Sequence, residues 1–232
     1  MPLFLLPNLL GFVKNIQMFL PQYLYEVMGK IDGLIAESEG GGRRYLAHFS
    51  IKKKSHEIPI ALLKKDRSKD YLDFLLQPVL QGETWGIVSD AGLPCLADPG
   101  AHLIRRAQEL DIPVEALVGP SSIILALMLS GLSGQQFFFH GYLSKYPEQR
   151  EKHLRRWEQV KDTTHMFIEA PHRNQYLLKD CLRILKPNTL FCLATNLTLS
   201  DQMVKTAPIK QWKEIDLAKN PTIFLFHASS RG

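Results

Sequence analysis

Short apolar runs alternate with segments of helical spacing along the whole chain. Runs at 3–6, 33–37, 58–61, 85–89 and 113–118 have the length and aliphatic content of buried strands. Between them, 23–29, 43–49, 69–80 and 101–110 place apolar residues three and four apart, as helices that bury one face do. Five strands joined by helical crossovers predict a parallel sheet covered on both faces. The second half opens with an apolar helix at 121–130. Strands follow at 137–141, 165–169, 190–195, 202–206 and 223–227, with helices at 152–160 and 175–185. Leu199-Ser200-Asp201 reads as a hairpin turn, which makes the second sheet mixed. The fold class is therefore α/β: two α/β/α domains, 1–118 and 119–232, hinged at Val118-Gly119-Pro120.

Three segments stand where this pattern puts chemistry. Ser89-Asp90-Ala91-Gly92-Leu93-Pro94 and the following Asp98-Pro99-Gly100 lie where the fourth strand turns into a helix, and ligands of open α/β sheets bind at that strand end. Gly92 permits a close backbone approach and Asp90 offers an acceptor, although an Asp-capped turn would read the same way. Gly119-Pro120-Ser121-Ser122-Ile123 links the fifth strand to an apolar helix, with Ser121 or Ser122 suited to cap it. Phe167-Ile168-Glu169-Ala170-Pro171-His172-Arg173 ends a buried strand and enters the next helix.

Taken together and in this order, these segments resemble the tetrapyrrole-methylase superfamily, and within it the branch that methylates a cytidine ribose 2′-hydroxyl of small-subunit ribosomal RNA. The resemblance spans roughly Ile87 to the C-terminus. It implies a homodimeric two-domain enzyme that binds S-adenosylmethionine in the cleft between its domains. Asp90, Ala91, Gly92 and Leu93 would line one side, and Ser121, Ser122 and Ile123 would present donors at a helix start. Asn196 and Thr222 would read the adenine, and Pro7 and Asn8 would wall the methyl-transfer side. Glu37, Glu169 and His172 are the candidate bases for a hydroxyl, with Arg173 beside them; a structural Glu–Arg pair is the competing reading. The front of the chain departs from the branch. Pro7-Asn8-Leu9-Leu10-Gly11 stands where members carry Thr-Pro-Ile-Gly-Asn. Glu37-Ser38-Glu39-Gly40-Gly41-Gly42-Arg43-Arg44 stands where they carry Glu-Asp-Thr-Arg, which leaves Glu37 and Arg43 or Arg44 as the counterparts. The resemblance also has the chain stopping near the end of the second domain.

Charge bears on the acceptor. The formal net charge is +5, but residues 119–232 hold 15 Lys/Arg against 9 Asp/Glu while residues 1–118 hold 13 against 14. A basic second half suits RNA. Arg150, Arg155 and Arg156 sit on a helix whose Leu154 and Trp157 face the core, and such a helix can track a phosphate backbone. Lys52-Lys53-Lys54 is a second cationic run, read as a solvated loop. The three cysteines, without CxxC spacing, predict neither disulfides nor a zinc site, and a cytoplasmic setting. The leading apolar run is too short to span a bilayer and lacks a basic start and a cleavage site, so neither membrane insertion nor a signal peptide is expected. Methylation of a small molecule such as a tetrapyrrole, and a non-catalytic binding role on the same fold, are the other readings. A deep apolar cleft would favour the first of these.

Overall fold

The structure is a computed structural model that describes residues 1–51, 54–64, 66–217 and 219–230. Lys52 and Lys53 of the cationic run lie outside the described residues. Two compact units are formed, Met1–Ser121 and Ser122–Gly232.

The first unit holds β1 (Leu3–Leu6), β2 (Gly33–Ala36), β3 (Ile60–Leu62), β4 (Trp85–Val88) and β5 (Val114–Ala116). They make an all-parallel sheet in the order β3-β2-β4-β1-β5. Helices α1 (Gln22–Met28), α2 (Glu39–Leu46), α3 (Lys69–Leu80) and α4 (Ala101–Glu109) supply the crossovers. Successive strand residues point to opposite faces, and each face has its own core. Phe4, Leu6, Leu34, Ala36 and Val88 pack on one side with Leu24, Met28 and Tyr45. Leu3, Ile35, Trp85 and Ile87 pack on the other with Leu75, Leu76 and Leu103. Burial on both faces explains why the central strands β1, β2 and β4 read as unbroken apolar runs.

One helix departs from expectation. The 43–49 helix begins earlier, at Glu39, and runs through Gly40, Gly41 and Gly42. Ser38 caps it, its Oγ accepting from Gly41 N at 3.0 Å, and Glu39 places a negative charge in the first turn. Glycine disfavours helix, but at Gly42 a Cβ would stand 2.9 Å from Ile60 Cδ1, so packing against the sheet overrides propensity.

The second unit holds α5 (Ser122–Ser130), β6 (Phe137–Tyr142), α6 (Pro147–Glu158), β7 (Thr164–Ile168), α7 (Asn174–Ile184), β8 (Leu190–Thr195), β9 (Met203–Pro208) and β10 (Thr222–His227). The sheet order is β6-β7-β10-β8-β9, with β6 and β7 parallel and the remaining pairs antiparallel, so the sheet is mixed. Leu154 of α6 and Leu177, Leu178 and Cys181 of α7 pack on Phe167, Phe191, Phe224 and Phe226 of the sheet. Helix α6 starts at Pro147 rather than 152, because proline is well placed in a first helical turn.

Candidate active site

Strands β2, β4 and β1 are parallel neighbours, with Ala36 and Leu6 both level with Val88. The residues that follow each strand therefore emerge side by side: Glu37-Ser38, Ser89-Asp90 and Pro7-Asn8. Hydrogen bonds knit them together. Asn8 N donates to Gly92 O at 2.8 Å and Gly92 N to Leu9 O at 3.2 Å. The Asn8 side-chain amide donates to the carbonyls of Ser89 (2.9 Å) and Asp90 (3.2 Å). Asp90 N donates to Glu37 Oε1 at 3.2 Å, and Ser38 Oγ to Asp90 Oδ1 at 3.5 Å. Asn8 and Glu37 thus hold the Asp90 loop, whatever else they do.

The Asp90 carboxylate is exposed and lies against the first turn of α2. A Cβ on Gly41 would come within 2.2 Å of Asp90 Oδ1. The glycine run is what admits a carboxylate there, next to the partial positive charge of a helix start. Gly92 has a different role from the one its motif suggested. Its φ is +73°, and a Cβ would meet Leu10 Cδ2 at 3.1 Å and Pro120 O at 3.4 Å, so the protein's own backbone and packing demand glycine. Beyond it, Cys95 and Ala97 also have positive φ (65° and 67°), and a Cβ on Gly100 would stand 2.3 Å from Cys95 Sγ. This tight coil half-buries Asp98. Burial first, then the charges of Glu37 and Asp90, push its carboxyl up to about 6. No ion-pair partner of Glu37, Asp90 or Asp98 occurs among the described residues.

Pro7 is buried, its carbonyl accepting from Tyr45 Oη at 3.1 Å, and a Cβ on Gly119 would stand 2.1 Å from Pro7 Cβ. Gly119 therefore brings the chain leading to Ser121 close against the end of β1. Ser121 is buried, and Ser122 and Ile123 open α5. Ala91 is exposed and Leu93 half-buried.

The second unit gathers a separate group. Glu169 follows β7, Thr222 begins β10 and Asn196 follows β8, and the antiparallel registers put all three at one end of the sheet. Glu169 is buried, with Oε1 accepting from Ala170 N at 2.8 Å and Oε2 lying 2.6 Å from Arg173 Nη2. That Nη2 is buried with no aligned acceptor, so the contact is an ion pair without a well-formed hydrogen bond. His172 is exposed, in the single 3-10 turn Pro171–Arg173. Asn196 is buried at φ +49° and donates to Asp201 Oδ2 at 2.6 Å; Thr222 Oγ1 donates to Asn220 O at 3.0 Å.

Two expected substrate cations are committed elsewhere. Arg150 is buried: its Nε and Nη2 donate to Asp180 Oδ2 (2.9 and 2.6 Å), and its Nη1 donates to the carbonyls of Ser144 and Lys145. With α6 starting at Pro147, position 150 faces α7 rather than solvent. Arg43 donates through Nη1 to the carbonyls of Ser55 and Ile58 (both 2.7 Å), clamping a loop to α2. Arg155 pairs with Glu151, whereas Arg44 and Arg156 are exposed. Sequence reasoning missed Ser38, Gly41 and Asp98. A serine followed by an acid is a helix-start signal, and it was present at Ser38-Glu39.

The Tetrapyrrole (Corrin/Porphyrin) Methylases family matches residues 30–213, beginning downstream of the divergent Pro7–Gly11 stretch. A relative in Vibrio cholerae serotype O1, the ribosomal RNA small subunit methyltransferase I, is 29% identical over 209 residues, covering 90% of this chain and 69% of its own. The protein of that name in Escherichia coli O157:H7 is 30% identical over 207 residues, covering 89% and 69%. The chain thus spans about two thirds of the length of these relatives. Among solved structures, diphthine synthase superposes with a TM-score of 0.65 at 14% identity, covering 97% of this chain and 88% of the other. The methyltransferase CobJ gives 0.61 at 15%, covering 92% and 90%. With the family's match running through the Asp90 loop, the Gly119–Ile123 link and the Glu169–Arg173 turn alike, this chain belongs to the Tetrapyrrole (Corrin/Porphyrin) Methylases.

Proposed function

We infer that the chain is an S-adenosylmethionine-dependent methyltransferase whose acceptor is small-subunit ribosomal RNA, at a ribose 2′-hydroxyl. The observation that carries this reading is the Asp90 loop, built at the carboxyl ends of β1, β2 and β4 in a chain about 30% identical to ribosomal RNA small subunit methyltransferases I.

The residues present fit the cofactor. Glu37, Asp90 and Asp98 converge with no ion-pair partner among the described residues, which suits a ligand carrying a sulfonium and an ammonium group. Asp90, Ala91, Gly92 and Leu93 would hold it with Ser121, Ser122 and Ile123, and Pro7 and Asn8 fix the loop from behind. Asn196 and Thr222 are the proposed adenine contacts. When bound, the cofactor supplies a methyl group already activated for displacement. The chain's own task is then to align a hydroxyl and take its proton. Glu37, whose Oε1 accepts from Asp90 N, and Glu169, held beside Arg173, are the proposed bases, with His172 as the third candidate. His172 and Arg173 are the proposed contacts to a phosphate or ribose, with Arg44 and Arg156 as further cations and Arg155 joining them only on leaving Glu151.

A homodimer in the cytoplasm completes the proposal. Support for the dimer comes from α5, an apolar helix that leaves Met128 and Leu129 exposed. No helix among the described residues is long and apolar enough to cross a membrane.

The test is transfer of labelled methyl from S-adenosylmethionine to small ribosomal subunits prepared from cells lacking the gene, with the modified nucleotide read by mass spectrometry. Label on a ribose supports the reading. Calorimetry showing no donor binding at millimolar concentration would overturn it, and label on an added tetrapyrrole instead of RNA would replace the acceptor.

A further inference from the structure

Strand β6 is an edge of the second unit's sheet, and it carries more aromatic surface than an edge strand needs. Phe138 and His140 are two apart and so share a face, where Phe138 stands level with His165 of β7. Helix α6 lays Trp157 on this face. The Trp157 and His140 rings are 3.6 Å apart at 9°, a close parallel stack. His153, one turn back along α6, stacks on Trp157 at 5.4 Å and 21°. Phe138 lies over the two imidazoles at 6.2 Å and 27° from His140 and 6.1 Å and 17° from His165. The result is a stepped row of near-parallel rings, from His153 through Trp157 and His140 to Phe138. It ends in the open, because Phe138 is 57% exposed.

Two further features say what such a row meets. Its central imidazole is uncharged at neutral pH: burial, with His165 and His153 nearby, holds His140 down at about 4. At Trp157, His140 and Phe138 the row therefore offers flat, uncharged π faces rather than a phosphate site. Positive charge comes from α6 itself. Lys152 and Arg156 are one turn apart and exposed, and neither has an ion-pair partner among the described residues, whereas the intervening Arg155 is taken by Glu151 at 2.9 Å. Neutral stacked rings ending in an exposed aromatic, beside unpaired cations on a helix surface, are the two components with which proteins hold unpaired nucleotides: bases stack on rings while cations follow the backbone. A duplex hides its base faces, so an exposed ring at the end of the row selects unpaired RNA.

We propose that the Phe138–His140–Trp157 row, flanked by Lys152 and Arg156, is a docking surface for single-stranded RNA, with a base stacking on Phe138. The proposal rests on the RNA reading above and adds to it a place, and a preference for unpaired over paired RNA.

The experiment uses the full chain and a fluorescent, unstructured RNA of about twelve nucleotides, a length within the usual single-strand site range, alongside a duplex of the same length, both read by anisotropy at several salt concentrations. The single strand is expected to bind more tightly than the duplex. Phe138→Ala is expected to weaken single-strand binding about tenfold with little change in salt dependence, and Phe138→Tyr to restore it. Arg156→Glu is expected to weaken binding and flatten the salt dependence instead. Circular dichroism confirms that each variant folds, which the exposure of Phe138 makes the expected result. Equal binding by folded Phe138→Ala and the parent chain, or equal affinity for duplex and single strand, overturns the proposal. So does light scattering in which the parent chain is a dimer and Phe138→Ala a monomer, since a second copy would then cover the ring. Donor calorimetry and methyl transfer are scored separately: ring-dependent RNA binding without methyl transfer leaves this surface standing and removes the catalytic reading, whereas methyl transfer with an unchanged RNA KM in Phe138→Ala does the reverse.

Discussion

The strand ends of the two units handle carboxylates in opposite ways. In the first unit, Glu37, Asp90 and Asp98 are collected with no ion-pair partner among the described residues, and Asp90 is left exposed against a helix start. In the second, Glu169 is buried and answered by Arg173 at 2.6 Å. A carboxylate already matched by an arginine contributes to its own fold. Carboxylates gathered without one keep their field for a ligand and cost stability meanwhile. The first unit's strand end therefore reads as a cation-receiving site, and the second unit's as a positioned base or anion contact.

The contrast is broken most strongly at Gly92. Gly92→Val forces a β-branched residue to φ +73° and drives its Cβ toward Leu10 and Pro120. We expect a loss of about 2–3 kcal/mol in thermal unfolding, together with donor binding too weak to detect at millimolar ligand. Destabilisation without loss of donor binding would detach the loop from the cofactor.

Gly41→Ala is the sharper probe. Alanine favours helix over glycine by about 1 kcal/mol, which offsets the displacement of the capping Ser38 Oγ, 2.8 Å from the new Cβ. Yet the new methyl takes the place of Asp90 Oδ1, and because that oxygen ends a flexible exposed side chain, it will swing away cheaply. Donor affinity should fall about tenfold or more, the usual scale for loss of one charged contact, while the melting temperature changes little, the helix gain and the disturbed Ser38 cap offsetting each other. An unchanged affinity, measured by calorimetry, would mean that Asp90 does not touch the donor.

Glu169→Gln and Arg173→Ala address the other strand end. Removing either partner leaves a charge in poor surroundings, but Arg173 is 31% exposed and water will relieve much of it. We expect about 1–2 kcal/mol from each in chemical denaturation. If Glu169 also takes a proton in catalysis, Glu169→Gln will lower kcat more than Arg173→Ala does at equal stability. Parallel falls in both variants would leave the pair with a structural role alone.

Much of this was legible in the residues, and the failures share a cause. Strands buried on both faces, such as β2, β4 and β10, announce themselves as apolar runs; the half-buried edge strands β6 and β9 were placed as well, and the loop motifs fell at the strand ends as written. Gly40–Gly42 misled because propensity treats three glycines as a loop, while Ile60 and the Asp90 carboxylate demand the absence of side chains in a helix. Arg150 and Arg156 share a helix and a residue type, and nothing local separates one locked to Asp180 from one in solvent. The answer depends on where the helix begins and which face α7 covers. The ring row on β6 was out of reach for the same reason: Phe138, His165 and Trp157 come from three elements, and only the sheet register and the packing of α6 align them.

The smallest expected effect belongs to Asp98, and it tests whether the first unit's carboxylates repel one another. Its carboxyl lies at about 6 in the fold, against 3.8 for the free side chain, chiefly through burial and then through Glu37 and Asp90. Folding therefore favours the protonated form. The corresponding stability is fully present below about pH 3.8 and is lost as pH rises through 6. Asp98→Asn removes the charge, so its melting temperature should exceed that of the parent chain by a few degrees at pH 8, and the difference should close as the pH is lowered toward 4. If S-adenosylmethionine binds at this cluster as proposed, its positive charge should shrink the gap at pH 8 by stabilising the parent chain more than the variant. If the variant is no more stable at pH 8, Asp98 is better solvated than its coil suggests, and the first unit's strand end is less strained by like charge than the comparison with Glu169 and Arg173 requires.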